Sequence, residues 1–140
     1  MMQAGGDLHP ALLLATVMIV GLGIDLVATS RVERELAQGE WRLGDGIFTS
    51  REISRCSRNR RPALCYAACF AAKEATLKAL GVEVADLGMM REVEVELGER
   101  CAIVLHDRMK SESEQLGVRH IRLSVAPSKR QTGAMVILES

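Results

Sequence analysis

Three charged side chains have the types and the spacing that chemistry on phosphate groups requires. Glu74 and Lys78 lie four residues apart in FAAKEATLKALG, residues 70–81, so they share one face of a helix. Asp25 lies near the end of the apolar run VMIVGLGIDLV, where a carboxylate is costly to bury without a partner. If the helix packs across this run, the two carboxylates converge and offer oxygen ligands to Mg²⁺, with the Lys78 ammonium beside them. The alternative is a solvated Glu–Lys pair on a helix surface.

The elements that would position these residues follow from periodicity and cap residues. The β-branched run at 17–27 predicts a strand, and the segment RVERELAQ after it predicts a short helix that closes near Gly39. Thr49 and Glu52 form a capping box that starts another short helix. The longest helix is predicted over 62–80, from a proline in its first turn to a glycine stop, with alanines that allow close packing on a sheet.

The second half of the chain reads as strands around one helix. EVEVELG alternates acidic and apolar residues and predicts a strand with one wet face, and CAIVLH predicts its partner. DRMKSESEQLG is amphipathic, with Met109 and Leu116 expected to face inward. RHIRLSVA and TGAMVILES predict two more strands joined by the loop PSKRQ. The order predicts an α+β domain in which a mostly antiparallel sheet packs against one long helix and shorter helices.

Length and charge limit the organisation and the partners. A chain of 140 residues is enough for one domain, which we place at 18–140, with 1–17 as an extension expected to be disordered or dispensable. Eighteen basic and 18 acidic residues give no net charge, so neither a nucleic acid nor a membrane is expected as a partner. The apolar run near the start is too short for a membrane span, and Asp7 is the only charged residue before it, unlike a signal peptide.

Four cysteines occur without any C-x-x-C pair. Cys65 and Cys69 are one helical turn apart, which suits two buried, reduced thiols of a cytoplasmic protein. A zinc site that joins these cysteines to His106 or His120 is an alternative, although its spacing matches no common pattern. Otherwise both histidines are expected at the surface. The scarce aromatic residues Trp41 and Phe48 are expected to be core anchors.

Two motifs carry a resemblance to a known family. GLGIDLVATSRVE followed by FAAKEATLKALG resembles the holo-acyl-carrier-protein synthase family of phosphopantetheinyl transferases, and IFTSREISRC resembles the segment between its two motifs. The resemblance runs from about Met18 to the C-terminus. It implies the phosphopantetheinyl transferase fold and transfer of the 4′-phosphopantetheine arm of coenzyme A to a serine of an apo acyl carrier protein of fatty acid, polyketide or other biosynthesis. It also implies release of adenosine 3′,5′-bisphosphate, a Mg²⁺ cofactor, and a homotrimer with active sites at subunit interfaces.

The resemblance also assigns roles to residues. It implies that Asp25 and Glu74 hold the metal, that Glu74 and Lys78 are catalytic, and that Lys73 helps to hold coenzyme A. Ser128 and Lys129 lie in the hairpin loop, where the resembling family contacts the nucleotide.

This sequence departs from the family pattern at three places. Cys69 replaces a common arginine, Pro127 stands where a histidine is usual, and Cys101 interrupts a G-x-P segment. The first two changes remove expected polar contacts near coenzyme A but leave the metal acids in place. A catalytically weak or inactive paralogue that binds coenzyme A or a carrier protein is therefore the alternative function.

A basic segment, SREISRCSRNRR, precedes the long helix. Its Arg51, Arg55 and Arg58 are spaced to share one helix face. The plain interpretation is a solvated face. The functional interpretations are docking of an acidic carrier protein, since opposite charges speed encounter, and contact of an arginine with the 3′-phosphate of coenzyme A.

Overall fold

The computed structural model of the chain describes residues 16–39 and 46–140. The predictions for residues 1–15 and for Trp41 lie outside the described residues. The elements, in chain order, are β1 (Ile19–Ala28), α1 (Thr29–Ala37), α2 (Ser50–Ser57), α3 (Pro62–Leu80), α4 (Gly88–Arg91), β2 (Val93–Glu96), β3 (Ala102–Leu105), α5 (Asp107–Gln115), β4 (His120–Ala126) and β5 (Gln131–Glu139). In the described part of the chain, no helix is both long enough and apolar enough to cross a membrane.

Two antiparallel sheets pack around α3. One has the order β1-β5-β4 and the other pairs β2 with β3. The hairpin loop PSKRQ joins β4 to β5 as predicted, and β1 pairs with β5 so that Asp25 lies opposite Ala134. The architecture confirms the predicted α+β class, with antiparallel strands against one long helix.

Helix α3 is the centre of the core, and its bounds are those predicted. Pro62 occupies its first turn, and Gly81 ends it in the left-handed conformation, at φ 69°. Thirteen of its 19 residues are buried, among them six alanines. Because alanine has little side-chain bulk, neighbouring backbones can approach this helix closely.

Strand β1 approaches α3 most closely at two glycines, Gly21 and Gly23. A Cβ atom at Gly21 would overlap the carbonyl oxygen of Ala79, and one at Gly23 would overlap the carbonyl oxygen of Ala75. The strand therefore runs antiparallel to α3 at the crossing, and the lack of a side chain at Gly21 and Gly23 allows the two backbones to lie this close. Asp25 is two residues beyond Gly23 on the same, helix-facing side of the strand.

Helix α2 begins with the predicted capping box. The Thr49 hydroxyl accepts from the Glu52 backbone N–H, and the Glu52 carboxylate accepts from the Thr49 N–H. Phe48, just before it, is buried and meets the Tyr66 ring edge-on, which confirms its predicted place in the core.

Three local predictions were wrong. Glu94 was expected on a wet face of β2 but is only 8% exposed, because its carboxylate is held by His106 and Thr49. Leu116 was expected inward but is 41% exposed at the C-cap of α5, although Met109, two turns before it, is buried as predicted. Cys65 was expected as a reduced thiol but forms a disulfide with Cys56, whose Cα atom lies 5.2 Å away. The short helix α4 was not predicted.

Candidate active site

The structure brings Asp25 and Lys78 together across 53 residues of sequence. The Lys78 ammonium donates to Asp25 Oδ1 at 2.9 Å and to the Ile24 carbonyl at 3.1 Å. The Lys78 side chain is 53% exposed and that of Asp25 is 15% exposed. An ion pair this open to water stabilises folding by less than about 1 kcal/mol, so Lys78 can exchange partners at little cost.

Glu74 lies one helical turn before Lys78 and is half-buried. The two residues share a face of α3, and β1 runs along α3 from Ala79 towards Ala75, which is the direction from Lys78 to Glu74. Asp25 lies further along β1 in that direction. Lys78 thus meets Asp25 where α3 crosses β1, and Glu74 lies one turn from Lys78 on the same face of α3.

Lys73, next to Glu74, points in a different direction, into the protein. Its ammonium is fully buried and forms an ion pair with Glu52 at 2.8 Å. It also donates to the carbonyls of Met90 at 2.9 Å and Val93 at 2.6 Å, and lies 5.8 Å from the centre of the Phe48 ring. These internal partners take all three ammonium protons. The placement speaks against the predicted contact with coenzyme A and gives Lys73 a structural role.

Burial and the neighbouring carboxylate act in opposite directions on the pKa of Lys73. Desolvation lowers the pKa of Lys73 below its ordinary value, and the adjacent Glu52 carboxylate opposes that shift without cancelling it. Sequence reasoning missed this pair. The capping box signalled a local role for Glu52, but its second oxygen accepts from the Val95 N–H and its charge meets Lys73 only in the folded chain.

A pocket of about 610 Å³ opens between α1 and the start of α3. Arg60, Arg61 and Lys129 bring three cationic side chains to its wall, and Glu33 brings one acid. Helix α1 and the first turn of α3 complete the lining. The pocket has the charge to hold an anionic group such as phosphate.

Ser128, the other predicted residue of this loop, forms hydrogen bonds within its own turn. Its hydroxyl accepts from the Gln131 N–H at 3.1 Å and donates to the Gln131 carbonyl, which closes the β4–β5 turn. A further contact that the sequence did not reveal joins Thr29 to Thr132 at 2.7 Å and holds the start of α1 against β5.

Comparisons with known proteins identify the family. A model of the 4′-phosphopantetheinyl transferase superfamily matches residues 21–131. Holo-[acyl-carrier-protein] synthase of Geobacter sp. (strain M21) is 39% identical over 125 residues, which cover 87% of this chain and 99% of that protein. The synthase of Syntrophus aciditrophicus (strain SB) is 36% identical, with 87% of this chain and 97% of that protein covered. The chain belongs to the holo-[acyl-carrier-protein] synthase family.

A solved structure supports the same assignment. The holo-(acyl-carrier-protein) synthase from Bacillus anthracis str. Ames, in complex with CoA (3′,5′-ADP), has 28% sequence identity and a TM-score of 0.66. The alignment covers 88% of this chain and 98% of that one. The resemblance and the fold predicted from the sequence are confirmed, and the chain is an enzyme of the phosphopantetheinyl transferase class.

The three departures of this holo-[acyl-carrier-protein] synthase family member take no part in the contact between Asp25 and Lys78. Cys69 is fully buried beside Cys56, while Pro127 and Cys101 line a second pocket. In the described part of the chain, the one group of three or more metal-ligating side chains is Cys56, Cys65 and Cys69. No histidine belongs to it, so the zinc alternative with His106 or His120 was wrong.

The predicted arginine face is present in this family member. Arg51, Arg55 and Arg58 line one shallow depression on α2 with two serines. Arg55 is partly tethered, because it donates to the Val95 carbonyl at 2.9 Å, whereas Arg51 and Arg58 are exposed.

Proposed function

We propose that the protein transfers the 4′-phosphopantetheine arm of coenzyme A to a serine hydroxyl of an apo acyl carrier protein and releases adenosine 3′,5′-bisphosphate. Membership of the family supports the reaction class. The observation that carries the proposal is the contact of Lys78 with Asp25 at 2.9 Å, with Glu74 one turn away on the same helix face. This contact supports a shared role of these charged side chains in phosphate chemistry.

The donor set fits Mg²⁺. Asp25 and Glu74 offer carboxylate oxygens, which are the ligands that this hard cation prefers. Neither these two residues nor Lys78 brings a soft sulfur donor. Both carboxylates are only partly buried. We propose that these two residues hold the ion. When bound, Mg²⁺ supplies positive charge to the diphosphate of coenzyme A.

The chain's own residues then have distinct tasks. Attack of the serine hydroxyl requires removal of its proton, and the Glu74 carboxylate is the proposed base, directly or through a water that it orients. The Lys78 ammonium neutralises charge on the phosphate that leaves, since its weak pair with Asp25 lets it turn to a substrate. Neither role needs a large movement of α3 or β1.

The pocket with Arg60, Arg61 and Lys129 is the proposed site for the phosphate groups of the adenosine part. A guanidinium fork matches two phosphate oxygens at once, and Lys129 adds a point charge. The predicted contact of Lys129 with the nucleotide belongs to this proposal. Ser128 contributes by fixing the turn that presents Lys129.

The arginine face of α2 is the proposed docking surface for the carrier protein. Arg51 and Arg58 project into solvent beside the tethered Arg55, and a protein with an acidic surface would be attracted to them. The alternative is a solvated helix face without a partner.

An exposed apolar face supports the predicted homotrimer. The side chains of Leu22, Ile24 and Leu26 on β1 are 56–66% exposed and Met135 on the paired β5 is 39% exposed. These residues share the side of the sheet that faces away from α3. A continuous apolar strip of this kind favours burial against further copies of the chain. We propose that the active sites lie at the resulting interfaces; a cytoplasmic location stays a prediction.

One assay tests the reaction. The protein is incubated with apo carrier proteins of fatty acid and polyketide synthesis, coenzyme A and Mg²⁺, and each carrier is weighed by intact mass spectrometry. A gain equal to phosphopantetheine supports transfer. Glu74→Gln is expected to abolish the gain with the fold intact, while Glu83→Gln, an exposed carboxylate beyond the end of α3, keeps it.

The alternative function, a paralogue that binds without turnover, predicts a different result in the same assay. Coenzyme A binding measured by calorimetry would persist while no carrier gains mass. Retained transfer in Glu74→Gln would show that Glu74 is not the base.

A further inference from the structure

Three cysteines form a sulfur cluster where α2 meets the start of α3. Cys56 and Cys65 are joined by a disulfide that spans nine residues. Cys69, one turn after Cys65, has its sulfur 4.0 Å from that of Cys56. All three sulfurs lie within 4.8 Å of one another. None of them takes part in the proposed transfer.

The two halves of the disulfide are not equally accessible. Cys56 and Cys69 are 0% exposed, whereas Cys65 is 6% exposed and lines a pocket of about 490 Å³. The same pocket is lined by Cys101 but not by Cys56. A molecule in this pocket therefore meets the disulfide from the side of Cys65.

The charged residues that line this pocket favour an anionic ligand. Arg55 and Arg61 are its ionic residues, and no acid is among the lining side chains of the described chain. The remaining wall is largely apolar, with Leu64, Leu97 and Val125. This combination suits a small anion that carries a short apolar stem.

We propose that the pocket is a thiol-modification site, where an anionic low-molecular-weight thiol opens the Cys56–Cys65 disulfide and becomes bonded to Cys65. The incoming thiolate sulfur forms a bond to Cys65 Sγ. The bond between Cys65 and Cys56 breaks, and its electron pair leaves with Cys56 Sγ, which then takes up one proton. The exchange involves no net oxidation, so the protein disulfide and the incoming thiol are the only reactants.

The third sulfur favours Cys56 as the leaving group. Burial, together with the nearby Glu52 carboxylate, raises the pKa of Cys69 to about 12, against the weaker effects of Lys73 and Arg55. Cys69 therefore stays a thiol at neutral pH and is not a competing nucleophile. Its S–H is placed to donate to the sulfur of Cys56, which stabilises the negative charge that develops there.

One consequence rests on the proposed function. Arg61 lines both this pocket and the proposed nucleotide pocket, and the disulfide holds the loop that carries Arg60 and Arg61. An attached anion beside Arg61 would compete with coenzyme A for that guanidinium. Modification would thus raise the coenzyme A concentration needed for transfer, whereas the modification itself is measured without any transfer assay.

The test uses the full chain purified without reductant. Peptide mapping under non-reducing conditions first identifies the peptide that links Cys56 to Cys65. The protein is then exposed to 3-mercaptopropionate, 2-mercaptoethanol or cysteamine, which are similar in size and carry negative, zero or positive charge, at equal thiolate concentrations. We expect an adduct on Cys65 that forms about tenfold faster with the anionic than with the cationic thiol, an electrostatic preference that salt weakens. Glutathione and coenzyme A serve as larger anionic probes.

Three variants test the separate contributions of Arg61, Cys69 and Cys101 to adduct formation. Arg61→Gln is expected to reduce the anionic preference severalfold, and Cys69→Ala to slow adduct formation while leaving the disulfide. Cys101→Ser is the matched control, since it removes a sulfur from the same pocket without touching the disulfide. An adduct on Cys56 or Cys101, rates independent of thiol charge, or a purified protein without the linked peptide would each overturn the proposal.

Discussion

The buried pair of Lys73 and Glu52 allows a sharp test of how this fold is held together. Both side chains are 0% exposed, and the pair joins α3 to α2 at 2.8 Å. Lys73 also reaches the carbonyls of Met90 and Val93, so one ammonium links α3 to the segment that leads into β2. Lys73→Met removes all of these contacts while preserving the length of the side chain.

The expected loss is large because Glu52 stays behind. Its carboxylate keeps the backbone donors at Thr49 and Val95 but loses its counter-charge in a site without water access. Breaking one partner of such a pair costs about 3–5 kcal/mol, which is a large share of the ~5–15 kcal/mol that stabilises a domain. Glu52→Gln combined with Lys73→Met removes both charges, and the amide oxygen can still accept from a backbone N–H. The double variant should therefore be more stable than Lys73→Met alone.

Urea unfolding of the unchanged protein, Lys73→Met, Glu52→Gln and the double variant, followed by circular dichroism at pH 7, completes the double-mutant cycle. Lys78→Met is the matched control on the same helix, since its pair with Asp25 is exposed and its loss should cost less than about 1 kcal/mol. The reasoning fails if Lys73→Met costs no more than that control, or if the two single changes simply add in the double variant.

Four further changes test other parts of the structure. Gly23→Ala should lower the free energy of unfolding by about 1–3 kcal/mol and slow transfer, because the new methyl group pushes α3 away from β1. Thermal unfolding and the mass assay measure the two effects, and Gly98→Ala, where the methyl group meets no atom, is the control. Desolvation raises the pKa of Glu94, but hydrogen bonds from Thr49 and His106 outweigh it and hold that pKa below its usual value. The carboxylate thus stabilises the protein above the unfolded pKa, and the benefit fades as pH falls through the folded one. Glu94→Gln should therefore lower Tm at pH 7 by an amount that shrinks in acid, and an equal difference at pH 3 would contradict this. Ile24→Lys should reduce the mass measured by light scattering to that of a folded monomer, and an unchanged mass would remove the exposed strip as the interface. Removal of divalent ions by a chelator should stop transfer with the circular dichroism spectrum unchanged, and added Mg²⁺ should restore it; transfer that continues would exclude the metal role of Asp25 and Glu74.

Local signals accounted for most of the secondary structure. Proline and glycine bound α3 where predicted, because one fixes φ for the first turn and the other takes the left-handed conformation that ends it. The capping box started α2 for a similar reason, since its two hydrogen bonds join residues only three apart. Glu94 and Leu116 were predicted wrongly because their burial depends on what packs over them, and periodicity along one element does not contain that information.

The candidate site likewise has a part that the sequence predicted and a part that it did not. Lys78 could be expected near Asp25 in advance, because a carboxylate at the end of an apolar strand needs a partner and the family motifs indicated one shared site. The direct contact between the two side chains was not predicted. Lys73 could not be placed, since adjacent residues of a helix point about 100° apart and the sequence does not say which of them faces inward. The cations of the proposed nucleotide pocket come from two loops, Arg60 with Arg61 and the distant Lys129, which meet only in the folded chain.

The order of the amino acids was enough to predict which side chains can do chemistry, where α3 begins and ends, and that alanines let this helix pack closely on a sheet. Those properties belong to single residues or to neighbours within one turn. The folded structure alone shows that Lys73 is buried in an ion pair with Glu52, that Cys56 is bonded to Cys65, and that Arg61 lines two pockets. Such contacts are set by the balance between burial and desolvation across several elements at once, and that balance exists only when the chain is folded.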